Sequence, residues 1–194
     1  MSNLILTDVD GVILDWEYAF NVWVQTHGHS RIEGGEYKYS IGKRYGISEE
    51  EAKRLIKYFN ESAAIGFLPP LRDSMYYLKR LHEKHGFIFH AITSLSKDQH
   101  SCKLREMNIK KLFGETAFEK FVFLDTGADK DEALEPYRNS GLYFIEDKID
   151  NCVTGMNMGL QSLLMTHGHN MDFAHPKITH VKNWKQIYEI VTGE

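Results

Sequence analysis

Two aspartates stand one residue apart, Asp8 and Asp10, in the stretch NLILTDVDGVILD from Asn3 to Asp15. They follow Leu4, Ile5 and Leu6, an apolar run that reads as a buried strand delivering charge to a sheet edge. In an extended segment, positions two apart point the same way, so both carboxylates can face one cleft. Two acids held that close repel each other unless a cation sits between them or one keeps a proton. Either answer implies chemistry, and Gly11 lets the main chain turn sharply after them. The alternative for an Asp-x-Asp-Gly sequence taken alone is a plain turn cap.

Three later stretches carry complementary groups. AITSLS offers the hydroxyls and turn amides of Thr93 and Ser94, able to hold phosphate oxygens near a following helix, although such residues after strands are commonly turn formers. DTGADKDEAL places Lys130 at a helix opening, where the dipole disfavours a cation and a bound anion would resolve the conflict. YFIEDKIDNC delivers Glu146, Asp147 and Asp150, and oxygen-only clusters of this type suit Mg²⁺. Together these groups supply a nucleophile, phosphate donors, a neutralising lysine and a metal carboxylate, the parts of a phosphoryl-transfer site.

Positioning them requires a sheet. Five apolar runs read as strands: Leu4 to Thr7, Phe87 to Ile92, Phe121 to Leu124, Leu142 to Ile145 and Gln161 to Met165. Their nearly continuous apolar character predicts a parallel sheet covered on both faces. Helices are predicted between them at Leu71 to His85 with Gly86 as its stop, Asp129 to Tyr137, Asp150 to Met158, and Asn183 to Val191 with Asn183 as cap. The fold expected is α/β, a doubly wound parallel sheet of about five strands with right-handed crossovers. Residues 15–68 break the rhythm and are too many for a structureless loop. Trp16 to Thr26 and SEEEAKRLIKYFNES, with Ser48 and Glu51 in capping-box positions, predict a small helical cap inserted after the first strand. Pro69-Pro70 marks the return, leaving 1–14 and 69–194 as the core.

At 194 residues, with 42% hydrophobic and 26% charged residues, the chain suits one domain with an insertion. No apolar run reaches the roughly 18 residues of a membrane span, and no secretory signal opens the chain, so a cytoplasmic protein is expected. A net charge of −4, from 23 basic and 27 acidic residues, argues against a nucleic-acid polymer as partner. The mixed run Lys97 to Lys111 reads as a solvated helix face, and Cys102 and Cys152 as ordinary thiols.

With these strand ends in order, the sequence resembles the haloacid dehalogenase-like hydrolase superfamily. Its four motifs match DVDGV, Thr93-Ser94, Lys130 and Glu146-Asp147. Within it, LPPLRDSMYYLKRL, TSLSKDQHSCK, ADKDE and IEDKIDN are similar to the 5'(3')-deoxyribonucleotidases, which also carry a small helical cap. Two positions depart from that pattern: Ala128 stands where an arginine is usual, and Glu146 where an aspartate is usual.

The resemblance implies a phosphomonoesterase acting on a small phosphate ester, a nucleoside monophosphate first among them. It assigns Asp8 as nucleophile forming an aspartyl-phosphate, and Asp10 as the acid and base. Mg²⁺ would be held by Asp8, the main-chain carbonyl of Asp10, and Asp147; Thr93, Ser94 and Lys130 would hold the remaining phosphate oxygens. Glu146 and Asp150 are left as supporting or helix-opening groups. Trp16, Tyr18, Phe20 and Trp23 offer an aromatic wall or ordinary core, and His167, His169 and His175 a second metal site or ordinary loop histidines. The alternatives are a sugar-phosphate phosphatase or phosphomutase with the same site, and a phosphate-binding module without turnover.

Overall fold

The computed structural model describes residues 3–194. Its centre is one parallel sheet of β1 (Leu4–Thr7), β2 (Ile88–Thr93), β3 (Phe118–Phe123), β4 (Tyr143–Glu146), β5 (Gln161–Met165) and β6 (Thr179–Val181), in the order β3-β2-β1-β4-β5-β6. The chain winds outward from β1 through β2 to β3, then restarts on the other side of β1 at β4. That reversal opens a crevice beyond the carboxyl ends of β1 and β4. Ile5, Leu6, Phe144 and Ile145 are fully buried, as expected of strands covered on both faces.

The strand count exceeds the expected five by one. Thr179–Val181 is only three residues long, too short to show a period, and exists as a strand through its pairing with β5.

Around the sheet run α1 (Trp16–Gln25), α2 (Ile41–Tyr45), α3 (Glu49–Asn60), α4 (Ser74–His85), α5 (Gln99–Phe113), α6 (Asp131–Leu134), α7 (Ile149–Asn157) and α8 (Trp184–Thr192). Three caps appear as the sequence predicts: Ser48 accepts from Glu51 N, Asn183 accepts from Gln186 N, and Gly86 is left-handed. Helix α4 starts later than predicted because Arg72 takes φ +48°. Helix α6 is shorter than predicted, passing into a 3-10 turn at Glu135–Tyr137 where Pro136 has no N–H to give. The run Lys97 to Lys111 is helical from Gln99 onward, but it is not uniformly solvated: Ser101, Arg105, Asn108 and Ile109 are buried.

Helices α1 to α3 lie between β1 and α4. The chain leaves and re-enters at one place, where Asp15 N donates to Pro69 O at 2.9 Å and Leu71 N to Ile13 O at 2.8 Å. Phe20, Val24, Leu55 and Phe59 from this segment share one apolar cluster with Val9, Ile13, Leu95 and Ile109. Each such side chain stabilises by about 1.5–3 kcal/mol when buried, so the inserted helices are seated on the body. Asn60 adds a polar tie, accepting from Trp16 Nε1 at 2.9 Å and donating to Leu95 O at 3.0 Å. Among the described residues, no helix is long and apolar enough to cross a membrane.

Candidate active site

Asp8 follows β1 directly, and its amide donates to Ile145 O at 2.8 Å, locking the ends of β1 and β4 together. Lys130 caps α6 and is buried, with Nζ 2.7 Å from Asp8 Oδ1 and 2.7 Å from Glu146 Oε2. Glu146 is fully buried and fully used. Its Oε1 accepts the amides of Asp147 and Lys148, each at 3.0 Å, while Oε2 also takes Asn151 Nδ2 at 3.3 Å.

Asp147 lies beside it, over Gly11. A Cβ added at Gly11 would come 2.5 Å from Asp147 Oδ2, and Gly11 has φ +76°, so space and conformation both require glycine. Asn170 fixes the turn from the other side: its Nδ2 donates to Asp147 O and Met165 O, both at 2.8 Å, and its Oδ1 accepts from His167 N.

Asp8, Glu146 and Asp147 bring carboxylate oxygens within 4.8 Å of one another. Burial pushes the Asp8 carboxyl up to about 8, helped by the Glu146 charge and opposed by Lys130. Burial, Glu146 and Asp8 likewise hold Asp147 well above the carboxylate range. Burial opposes the charges of Glu146 and Lys130 too, yet their mutual attraction outweighs it: Glu146 falls below its ordinary value and Lys130, aided by Asp8, rises above its own. Asp8 and Asp147 therefore need a proton or a further cation. Their all-oxygen donor set fits a hard divalent ion such as Mg²⁺.

Thr93 ends β2 almost completely buried, and its hydroxyl has no hydrogen-bond partner among the described residues. Ser94 differs: its hydroxyl donates to Ala128 O at 2.7 Å and joins the β2 turn to the lysine loop. The Asp10 side chain pairs with Arg105 of α5. Asp150 is exposed in the first turn of α7, where an acid suits the helix dipole.

Asp8, Asp10, Thr93, Ser94, Lys130 and Asp147 all line one pocket of about 710 Å³ between the strand ends and the inserted helices. Trp16 and Tyr18 form part of its wall. Phe20 is packing, stacked on Trp16 at 4.6 Å and buried, and Trp23 lies against Phe59 at 5.5 Å. His167 and His169 enter the pocket, His167 Nε2 lying 2.6 Å from Gly11 O and His169 Nε2 4.0 Å from Asp147 Oδ2. Burial lowers both imidazoles, His169 to about 4. His175 accepts from Lys177 N outside the pocket, so the three histidines do not form one metal site.

No family model matches the chain. An uncharacterized 32.4 kDa protein of Enterobacteria phage T4, from the Gp30-rIII intergenic region, is 26% identical over 159 residues. That match takes in 78% of this chain but 56% of the relative, so the chain spans little more than half its length. Among solved structures, a haloacid dehalogenase-like family hydrolase from Streptococcus pneumoniae superposes with a TM-score of 0.66 at 15% identity, over 100% of this chain and 99% of that one. CbbY from Rhodobacter sphaeroides in complex with phosphate gives 0.62 at 16%, covering 96% of both chains. D,D-heptose 1.7-bisphosphate phosphatase from B. bronchiseptica, complexed with magnesium and phosphate, gives 0.62 at 11%, over 100% and 99%. The chain has the haloacid dehalogenase-like fold.

Asp8 and Asp10 after β1, Thr93 and Ser94 at the end of β2, Lys130 at the opening of α6 and Asp147 after β4 thus come from four separate stretches of chain to one pocket. Sequence reasoning missed Asn60, Arg105 and Asn170, polar residues each with a partner far along the chain. It also missed Tyr39, a largely exposed residue on the pocket lining that faces His169 edge-on at 5.3 Å.

Proposed function

We propose that the chain is a Mg²⁺-dependent phosphomonoesterase acting on a small phosphate ester, with a (deoxy)nucleoside monophosphate as the first candidate. The observation that carries this reading is the grouping of Asp8, its ion-paired Lys130, the unpartnered Thr93 hydroxyl and Asp147 in one pocket. Two proteins of the same fold hold phosphate, one of them with magnesium.

In the first step an Asp8 carboxylate oxygen attacks phosphorus. The P–O ester bond breaks, and the departing oxygen takes a proton from Asp10. Asp10 then accepts a proton from water as that water attacks the aspartyl-phosphate, releasing phosphate and regenerating Asp8. Lys130 and the Thr93 hydroxyl hold the non-bridging oxygens throughout. Asp8 and Asp147 through their carboxylates, and Asp10 through its main-chain carbonyl, would hold Mg²⁺, which when bound offsets the repulsion between the anionic nucleophile and the phosphate. The imidazoles of His167 and His169 line the site beside Asp147.

The Trp16 and Tyr18 wall favours a ligand with a flat apolar part, as in a nucleotide. A second reading, a sugar-phosphate phosphatase or phosphomutase, is favoured by the polar side chains of Asn21, Ser40, Glu49 and Lys53 in the same pocket. The test is phosphate release from a panel of nucleotides and sugar phosphates with and without Mg²⁺, using wild type beside Asp8→Asn. Metal-dependent release by wild type alone supports hydrolysis, and an isomerised phosphosugar identifies a mutase. Tight phosphate binding with no turnover identifies a binding module.

A further inference from the structure

Arg105 is fully buried in the middle of α5, yet it makes just one side-chain contact of note: Nη1 donates to Asp10 Oδ1. Its Nε and Nη2 have no partner among the described residues. A guanidinium kept dry with donors unmet is costly, and a replacement by an apolar side chain is often neutral or better for stability. Packing alone therefore does not explain the residue. Its helix is held firmly, capped by Asp98 on Ser101 N at 2.8 Å and tied by Asn108 Nδ2 to Leu68 O at 3.1 Å. Arg105 thus connects a fixed scaffold to a carboxylate at the pocket wall.

The Asp10 side chain retains 24% of its exposure, and no protein donor reaches its second oxygen among the described residues. We propose that Arg105 is the positioning residue for Asp10: it takes one carboxylate oxygen and turns the other toward the oxygen that leaves phosphorus. This rests on the hydrolytic reading above, in which Asp10 supplies the leaving-group proton. An unheld aspartate rotates about two side-chain bonds, and a proton donor displaced by a fraction of a hydrogen-bond length loses much of its effect.

Leaving-group chemistry separates positioning from general support. An alkyl oxygen needs a proton as it departs, whereas p-nitrophenolate leaves readily without one, and kcat/KM reports the step in which the ester bond breaks. The experiment compares wild type, Arg105→Met, Arg105→Lys, Asp10→Asn and Asp10→Asn/Arg105→Met on the best alkyl monophosphate of the panel and on p-nitrophenyl phosphate. Arg105→Met is expected to lower alkyl kcat/KM by roughly 30-fold or more, with at least about tenfold less loss on the aryl ester. Arg105→Lys recovers part of that difference, and in the Asp10→Asn background the Arg105 change adds nothing further. Equal losses on both esters, or a further alkyl loss in that background, overturn the assignment. If Arg105→Met does not fold, Arg105→Lys carries the same two-ester comparison. Wild type that turns over neither ester overturns the hydrolytic reading itself, and Arg105's role with it.

Discussion

Lys130 and Glu146 face each other at 2.7 Å with 2% and 1% of their side chains exposed, and the Asp8 carboxylate completes the contact. Glu146 also gathers the amides that open the turn into α7, so it holds both the lysine and the Asp147 segment. Glu146→Ala leaves a buried ammonium without one of its two carboxylates, and is expected to cost about 3–5 kcal/mol of stability. Urea unfolding in the absence of metal checks this. Glu146→Gln, which keeps the acceptor oxygen, is expected to cost less.

Thr93 separates function from stability. Its buried hydroxyl has no partner among the described residues, so Thr93→Val removes a polar group that the folded protein leaves unsatisfied. Thermal stability is expected to be unchanged or slightly higher, while kcat/KM for phosphate esters falls by about 10- to 100-fold. A parallel loss of Tm and activity would contradict the assignment of this hydroxyl to the phosphate.

The raised Asp8 carboxyl, about 8 in the folded chain against an ordinary 3.8, makes the metal-free protein bind more protons folded than unfolded. Its stability contribution therefore declines as pH rises from about 4 toward 8, and Asp147 acts in the same direction. Under the proposed function, Mg²⁺ competes with those protons and stabilises more at pH 8 than at pH 5.5. Melting curves in EDTA and in excess Mg²⁺ at the two pH values test both signs, and Asp8→Asn should flatten the pH dependence.

Gly11→Ala forces a side chain against Asp147 Oδ2 at a residue with φ +76°. The backbone conformation alone costs about 1–3 kcal/mol, and the displaced carboxylate adds a loss of metal affinity. Mg²⁺ titration by calorimetry is expected to show binding weakened by about tenfold or more, since the carboxylate moved is one of the ligands assigned to the ion.

Much of this architecture was legible because buried parallel strands announce themselves as unbroken apolar runs ending in polar residues. Asp8, Thr93 and Asp147 could be placed at strand ends and Lys130 at a helix opening before any contact was known, and the start of α3 followed from Ser48 and Glu51. What stayed hidden depends on tertiary pairing. Thr179–Val181 carries too few residues to show a period. Arg105 lies in a charge-rich run whose average character is that of a solvated helix, and only the return of Asp10 to α5 reveals that one member points inward. His167 was visible as a residue type, but its seat on Gly11 O depends on Asn170 folding the loop back.

The strand order also fixes when the crevice can exist during synthesis. Because β4 lies directly beside β1, the chain through Glu146 must leave the ribosome before Asp8 meets Glu146 and Lys130 holds both acids at once. Until then the early segment holds an incomplete set of charges, with the long loop closure still to be made. Nascent chains arrested before β4 are thus expected to lack the paired Glu146 and Asp147 carboxylates of the crevice, however well their first three strands have formed.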